Sequence, residues 1–187
     1  MKLRTRLRVA AVLASTLAAL VSFVPSAAAT GFPQGPYEIF NDSHGAHMCL
    51  DVPGGNPAGG VKIQQWDCWA GNMQKWYAEF TAYGAVGEPA YFRYRNVATN
   101  KCLDVPGGDP TSGVQIQQWD CWADGAAGQM QQWQSLPMDP QSSHVMLRNR
   151  LTGKCIDIPG GDRNPGVIVQ QWDCWGGNMQ TWRVDWP

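Results

Sequence analysis

The dominant feature of this sequence is a pattern that occurs three times. Cys-Leu-Asp-Val-Pro-Gly-Gly starts at Cys49 and Cys102, and Cys-Ile-Asp-Ile-Pro-Gly-Gly starts at Cys155, so the copies are 53 residues apart. Each copy is followed by Gln-Gln-Trp-Asp-Cys-Trp and then by Gln-x-Trp. A period of this length predicts one supersecondary unit present in three copies, and any polar group in one unit recurs in the others.

The first 29 residues have the composition of a secretion signal. Four basic residues within the first eight precede an apolar, alanine-rich stretch over 9–24, and three alanines end the segment. This order is typical of a signal peptide, and the apolar stretch is short for a membrane span. We therefore predict a signal peptide at 1–29, no membrane insertion, and a secreted, extracellular domain of 158 residues at 30–187.

The charge of the predicted domain excludes several classes of partner. Without residues 1–29 the chain keeps ten basic and 15 acidic residues, which gives a net charge of −5 and leaves no basic cluster. Nucleic acids, heparin-like polymers and anionic membranes are bound through such clusters, so we expect none of them as partners. We expect a monomer, and no motif indicates a cofactor.

All six cysteines lie in the repeats, as three pairs 19 residues apart. Export places them in an oxidising compartment, where disulfides form. Six cysteines allow 15 pairings. The pairing that treats the units alike is Cys49–Cys68, Cys102–Cys121 and Cys155–Cys174. Metal binding is the alternative, but the chain lacks the Cys-x-x-Cys pair that is common in structural zinc sites.

Short segments of alternating residues predict four β-strands in each unit. The 21 glycines and 13 prolines leave few stretches long enough for a helix, and they supply the turns between strands. We predict an all-β fold of three pseudo-symmetric repeats at about 35–86, 87–140 and 141–187. The twelve predicted strands are 37–40, 48–52, 61–66, 76–80, 91–96, 101–105, 114–119, 131–135, 144–149, 154–158, 167–172 and 180–185.

Strand alternation predicts which side chains share a face, because neighbouring residues in a strand point to opposite sides. We assign Leu50 and Val52 to the core, together with Val61 and Ile63. The cysteines and the neighbouring Asp then face outward, and a local disulfide brings the two outward faces together. The resulting patches contain Asp51, Gln64 and Trp66 in the first unit, Asp104, Gln117 and Trp119 in the second, and Asp157, Gln170 and Trp172 in the third.

These motifs together resemble the ricin B-chain type (R-type) lectin domain, also called the ricin-type carbohydrate-binding module. The resemblance covers about 35–187 and rests on three ordered Gln-x-Trp motifs with paired cysteines. It implies a β-trefoil of three four-strand repeats, with a six-stranded barrel capped by three hairpins. It also implies a secreted, non-catalytic protein with up to three pockets for glycans, with galactose- or xylose-type saccharides or polysaccharides as candidates.

The resemblance assigns roles to the outward residues. The Asp of each repeat would accept hydrogen bonds from two adjacent sugar hydroxyls, for which an ionised carboxylate is well suited; the alternative is an Asp that only caps the Pro-Gly-Gly turn. The tryptophan two residues before the second cysteine would stack on the sugar, whereas the tryptophan of Gln-x-Trp belongs to the core. The core set is Trp76, Trp133 and Trp182.

The glutamines divide into two groups. We expect Gln64, Gln117 and Gln170 to contact sugar hydroxyls. We expect the Gln-x-Trp glutamines to orient the Asp and to tie the hairpin together; these are Gln74, Gln131 and Gln180. The tryptophans after the second cysteine are not a general family feature, and they could widen the stacking surface, cover the disulfide or contact another molecule; these are Trp69, Trp122 and Trp175.

Two departures from the family pattern bear on specificity. The family usually has Asn before the Gln of Gln-x-Trp, and that Asn supports galactose binding. Here the position holds Met73, Met130 or Met179. An Asn lies one residue earlier only at Asn72 and Asn178, and we count both as candidate carbohydrate-binding residues that reach the pocket if the loop shifts. The second unit has ten residues from cysteine to glutamine where the others have six, so we rank its pocket below the other two.

Other functions have weaker support. Asp42, His44 and His47 lie in one turn and could hold a metal, although a solvated turn is the simpler interpretation. Only three glutamates lie beyond residue 29, none in a repeated motif, and no nucleophile–base arrangement is evident. Two further hypotheses remain open: a subunit that docks a separate toxin or hydrolase, and a trefoil inhibitor that acts through its loops.

Overall fold

The computed structural model describes residues 35–42, Gly45 and 47–185, and the predicted signal peptide lies outside this part. No helix within the described residues is long and apolar enough to span a membrane. The described residues form twelve strands, which confirms the all-β prediction. They are β1 (Tyr37–Asn41), β2 (Met48–Asp51), β3 (Gln64–Asp67), β4 (Lys75–Ala82), β5 (Tyr91–Asn96), β6 (Cys102–Asp104), β7 (Gln117–Trp119), β8 (Trp133–Pro137), β9 (Val145–Asn149), β10 (Cys155–Asp157), β11 (Gln170–Trp172) and β12 (Arg183–Asp185).

Six of the strands close into a barrel. β1 pairs with β4, β4 with β5, β5 with β8 and β8 with β9, all antiparallel. A bridge between Val145 and Trp182 and the pairing of β12 with β1 complete the circle. The other six strands form three hairpins, β2–β3, β6–β7 and β10–β11. A six-stranded barrel with three hairpins confirms the predicted β-trefoil.

A ring of backbone hydrogen bonds joins the hairpins to one another. The N–H of Ile63 donates to the carbonyl of Ile116, Ile116 to Val169, and Val169 back to Ile63, each at 3.0 Å. This pairing explains why the third strand of each unit starts later than predicted. Residues 61–63 and their counterparts pair with the neighbouring repeat as isolated bridges, such as Lys62 with Gln117, and not with their own hairpin partner.

The core contains one large aromatic side chain from each Gln-x-Trp motif. Trp76, Trp133 and Trp182 are fully buried. Each indole N–H donates to a backbone carbonyl of its own repeat, at 3.1–3.2 Å, so its one polar atom is satisfied; the acceptors are Leu50, Leu103 and Ile156. The predicted core residues Leu50, Val52 and Ile63 are also fully buried, whereas Val61 is only partly buried and packs against the cluster.

The second glutamine of each Gln-Gln-Trp segment faces inward and holds a loop of another repeat. The buried amide of Gln118 donates to the carbonyls of Asn56 and Ala58 at 2.7 and 2.8 Å. Gln171 holds the 109–111 loop in the same way, and Gln65 holds the 162–164 loop. The three repeats therefore support one another in a closed cycle.

We predict that truncating a buried indole destabilises the fold far more than truncating an outward one. Trp182→Ala should lower the free energy of unfolding by about 3–5 kcal/mol, because it leaves a large cavity. Trp172, which is 42% exposed, provides the matched control, and Trp172→Ala should cost less than about 1 kcal/mol. Chemical denaturation measures both; equal losses would contradict the assignment of faces.

Candidate functional site

Three local disulfides fix the outward patches. Cys49–Cys68, Cys102–Cys121 and Cys155–Cys174 are all bonded, each with a Cα–Cα distance of 5.1 Å, and no described cysteine is free. The predicted pairing is therefore confirmed. In each repeat the bridge joins the start of the first hairpin strand to the residues just after the second strand. The bridge thereby holds the Asp, the first Gln and the Trp of the Gln-Gln-Trp segment on the same side of the hairpin.

The Asp of each repeat is buried beneath this patch and is held by glutamine amides. Gln117 Nε2 donates to Asp104 Oδ1 at 2.7 Å, and Gln131 Nε2 donates to Asp104 Oδ2 at 3.0 Å. The third repeat has the same arrangement around Asp157, with 2.8 Å from Gln170 and 3.3 Å from Gln180. In the first repeat Gln64 donates to Asp51 Oδ1 at 2.7 Å. Contact between the first glutamine and the Asp was not anticipated from the sequence.

The alternative role for the Asp, as a cap of the Pro-Gly-Gly turn, is wrong. Those turns are short 3-10 segments that begin at Pro53, Pro106 and Pro159, and no side chain caps any of them. The carboxylates are directed to the glutamines instead, and each oxygen keeps further acceptor capacity for a hydroxyl group.

Burial changes the acidity of two of these carboxyl groups. Desolvation raises the pKa of Asp51 and of Asp104, and the glutamine hydrogen bonds oppose this effect without cancelling it. Lys62, from the first repeat, also lowers the pKa of Asp104 slightly through its charge. A partly desolvated carboxylate is a strong acceptor when a ligand hydroxyl replaces water, because the local dielectric is low.

One tryptophan in each patch remains open to solvent. Trp66, Trp119 and Trp172 are 39–42% exposed, as the alternation predicted. A glycine from another repeat lies beside each ring. A Cβ added to Gly113 would be 3.6 Å from Trp172, and Gly60 and Gly166 approach Trp119 and Trp66 at 3.5 Å. Each stacking tryptophan thus belongs to one repeat and lies against a glycine of the preceding repeat, with the third repeat preceding the first around the ring.

The Gln-x-Trp glutamines connect the Asp to the end of the hairpin. Gln131 Oε1 accepts the N–H of Trp122 at 2.9 Å, and its Nε2 donates to the Asp120 carbonyl as well as to Asp104. Gln180 makes the corresponding contacts with Trp175 and Asp173. Gln74 does so with Trp69 and Asp67. The expected role of these residues, orienting the Asp and tying the hairpin, is present in the structure.

Two of the patches form clefts. The cleft around Asp157 has a volume of about 430 Å³ and is lined by Gln170, Trp172, Trp175 and Met179. The cleft around Asp104 is smaller, about 280 Å³, with Trp119, Trp122 and Met130 among its walls. The methionine that replaces the family's Asn therefore lines the pocket in both.

Asn178 does not lie in the cleft that the sequence suggested. It lines a separate cleft with Asp42, His144 and Thr181, and its backbone carbonyl accepts a hydrogen bond from Asn41. Asn72 is exposed in the first repeat. The lower rank given to the second pocket rested on its longer loop. That loop folds into a 3-10 segment, Ala127–Gln131, which still delivers Gln131 to Asp104.

The separate cleft contains a contact that sequence analysis missed. His144 Nε2 lies 2.8 Å from Asp42 Oδ1, and His144 Nδ1 lies 3.3 Å from Ser142 Oγ. Ser142 Oγ also accepts the backbone N–H of His144 at 2.9 Å, so it takes part in the β8–β9 turn. Burial alone would raise the pKa of Asp42, but His144 and Arg183 outweigh it and lower that pKa.

The predicted metal turn is only partly described, because His44 lies outside the described residues. Among the residues that the structure does describe, no group of three or more His, Cys, Asp or Glu could hold a metal ion. His47 instead packs against the ring of Phe40, with 4.1 Å between ring centroids.

Comparison with known families agrees with this architecture. The family model described as ricin-type beta-trefoil lectin domain-like matches residues 29–119, 79–142 and 129–186. These matches together span nearly all of the chain beyond the predicted signal peptide, so the protein belongs to the ricin-type β-trefoil lectin domain-like family.

Solved structures with the same fold include free-standing proteins and parts of larger ones. The designed threefold-symmetric protein ThreeFoil is 24% identical, with a TM-score of 0.67 over 79% of this chain and 96% of its own. The Macrolepiota procera ricin B-like lectin, solved with lactose, is 22% identical, with a TM-score of 0.63 over 84% of this chain and 100% of its own. An exo-β-1,3-galactanase from Clostridium thermocellum is 26% identical, with a TM-score of 0.70 over 83% of this chain but 31% of the enzyme.

We predict that Gln131→Glu produces a destabilisation that depends on pH. The new carboxylate would face the buried Asp104 carboxylate and lose the donated hydrogen bonds, at a cost of roughly 3 kcal/mol at neutral pH. Its pKa in the folded state would lie above the unfolded value of about 4.3. The penalty is therefore complete above the folded-state pKa and disappears as the pH falls below about 4.3.

Urea denaturation of Gln131→Glu and wild type between pH 3.5 and 8 measures this gap. Gln141→Glu provides the control, because Gln141 is exposed and the same change there should cost almost nothing at any pH. A constant gap across the pH range would show that Gln131 does not face an ionised Asp104.

Proposed function

We propose that the protein is a secreted, non-catalytic lectin that binds glycans through the pockets of its three repeats. The observation that carries this proposal is the recurrence of one constellation: a buried Asp, held by glutamine amides, beside a half-exposed tryptophan. Burying a carboxylate is costly and an exposed indole adds little to stability, so the threefold recurrence of this pair favours a binding role over a purely structural one. Membership in a lectin-like family supports the same conclusion.

The chemistry of each pocket suits a sugar ring. The free acceptor capacity of the Asp carboxylate accepts two neighbouring hydroxyl groups, and the indole packs against the C–H face of the ring. The first glutamine of each repeat donates its Nε2 to the Asp, which fixes the orientation of the amide. Its Oε1 atom can then accept a hydrogen bond from a further hydroxyl group. The proposed binding residues are Asp51, Gln64, Trp66 and Gln74, then Asp104, Gln117, Trp119 and Gln131, then Asp157, Gln170, Trp172 and Gln180.

The sugar preference is set partly by the methionines. Asn72 is exposed in the first repeat, and Asn178 of the third repeat lies in another cleft. The pockets therefore lack the Asn that supports galactose binding in the family. We therefore propose galactose- or xylose-type saccharides as ligands without ranking them. A single shallow site should bind a monosaccharide in the millimolar range, about −4 kcal/mol, and several sites on one rigid domain should favour polymeric glycans.

Secretion is supported by the disulfides, since three local bridges are typical of proteins folded in an oxidising compartment. A non-catalytic role is supported by membership in a lectin-like family. The docking-subunit and inhibitor hypotheses require surfaces other than the repeated pockets. Under either hypothesis, substitutions in the pockets should leave binding to the partner unchanged.

We predict that removing two carboxylates abolishes avidity. A glycan array with the exported protein identifies a polymeric ligand, and calorimetry then compares wild type with Asp51→Asn, Asp157→Asn and the double variant. Each Asn keeps the side-chain shape but weakens the acceptor. The single variants should retain binding at the intact sites, and the double variant should bind the polymer on the order of a hundredfold more weakly.

Asp139→Asn is the matched control, because Asp139 is exposed on the β8–β9 turn and loses the same single charge. It should bind as tightly as wild type. A folded double variant that also holds the polymer as tightly as wild type would exclude the repeated pockets, and the docking-subunit hypothesis would replace ours.

A further inference from the structure

The tryptophan after the second cysteine of each repeat is the most unusual exposed feature of the protein. Trp69, Trp122 and Trp175 are 44–56% exposed, more than the tryptophans of the stacking position. Exposed apolar side chains that are grouped together, and not scattered singly, mark interaction sites or ligand-binding grooves. Trp175 and Trp122 do not lie apart from the pockets: each lines the same cleft as the Asp and the stacking tryptophan of its repeat.

Two of these rings rest on a glycine that leaves room for them. A Cβ added at Gly177 would lie 1.8 Å from the Trp175 ring, and one added at Gly71 would lie 2.1 Å from the Trp69 ring. Any other residue at these positions would therefore displace the indole. The glycine therefore lies directly against part of each ring, while Trp69 and Trp175 remain 54% and 56% exposed.

The same glutamine fixes the exposed tryptophan and the Asp. Gln180 Oε1 accepts the backbone N–H of Trp175 at 2.9 Å, while its Nε2 reaches Asp157. The equivalent bonds to Trp122 and Trp69 have the same length, 2.9 Å. The distance between the polar contact point and the second indole is thus set in all three repeats by one fully buried side chain.

We propose that Trp69, Trp122 and Trp175 form a second stacking position, so that each pocket recognises two linked sugars and not one. This inference rests on the proposed function. The Asp and the stacking tryptophan hold the first sugar, and the additional indole packs against the next sugar of the same chain. The cleft around Asp157, about 430 Å³ in volume, has the Asp, the stacking tryptophan and the additional indole in one continuous lining.

Calorimetry with two saccharide series tests the proposal: galactose against lactose, and xylose against xylobiose and xylotriose. Wild type should bind the di- or trisaccharide of the recognised series up to about tenfold more tightly than the monosaccharide, the size expected for one added aromatic contact. The W69A/W122A/W175A variant should bind the monosaccharide within about twofold of wild type and lose the gain with length. The W66A/W119A/W172A variant should lose both.

Tyr83→Ala is the control for exposed aromatic surface, because Tyr83 is 80% exposed and belongs to no pocket lining described above. It should leave the whole series unchanged. If the triple variant fails to fold, the single W175A variant should lose one third of the higher-affinity oligosaccharide sites, measured as stoichiometry.

Three results would overturn the inference. The W69A/W122A/W175A variant could keep the full increase in affinity from monosaccharide to oligosaccharide. That result would show that these indoles contact some other partner, such as a protein. A variant that loses monosaccharide binding as well would show that both indoles enclose one ring. Wild type that binds neither series and no glycan on an array would defeat the proposed function itself, and the second stacking position with it.

Discussion

The alternation of side chains in the Gln-Gln-Trp segments holds the three repeats together and forms the pockets. The inward glutamine of each pair clasps two carbonyls of another repeat, and the outward one holds the Asp of its own repeat. A shift of one residue in the register would exchange these roles, because neighbouring side chains of a strand face opposite sides. The same three residues thus close the trefoil and build the pocket.

The ring of hydrogen bonds near the threefold axis makes the pockets interdependent in structure. Each stacking tryptophan lies against a glycine of the neighbouring repeat, and that loop is held by the inward glutamine. Replacing one inward glutamine should therefore loosen a loop of the preceding repeat. The same loop supports the stacking tryptophan of the glutamine's own repeat, so that pocket should loosen as well. A pocket built between repeats in this way requires all three units.

Much of this architecture follows from local sequence signals. Periodicity, glycine and proline positions and strand alternation predict the twelve strands, the disulfide pairing, the buried Trp182 and the open Trp172. Contacts between distant residues leave no such signal. Three features depend on how the repeats meet: the bonds of Gln65 to the 162–164 loop, the contact of His144 with Asp42, and the placement of Asn178 in a separate cleft. The bond from Gln64 to Asp51 was missed because both side chains were assigned to the ligand.

The central claim is that saccharides bind at the outward indoles and not elsewhere, and an NMR titration that follows the indole N–H signals tests it most directly. A recognised oligosaccharide should move the signals of Trp66, Trp119 and Trp172 and of their neighbours after the second cysteine. The signals of the buried Trp76, Trp133 and Trp182 should stay fixed, because their N–H groups are bonded to backbone carbonyls in the core. Binding that leaves the outward indole signals unmoved would contradict the account.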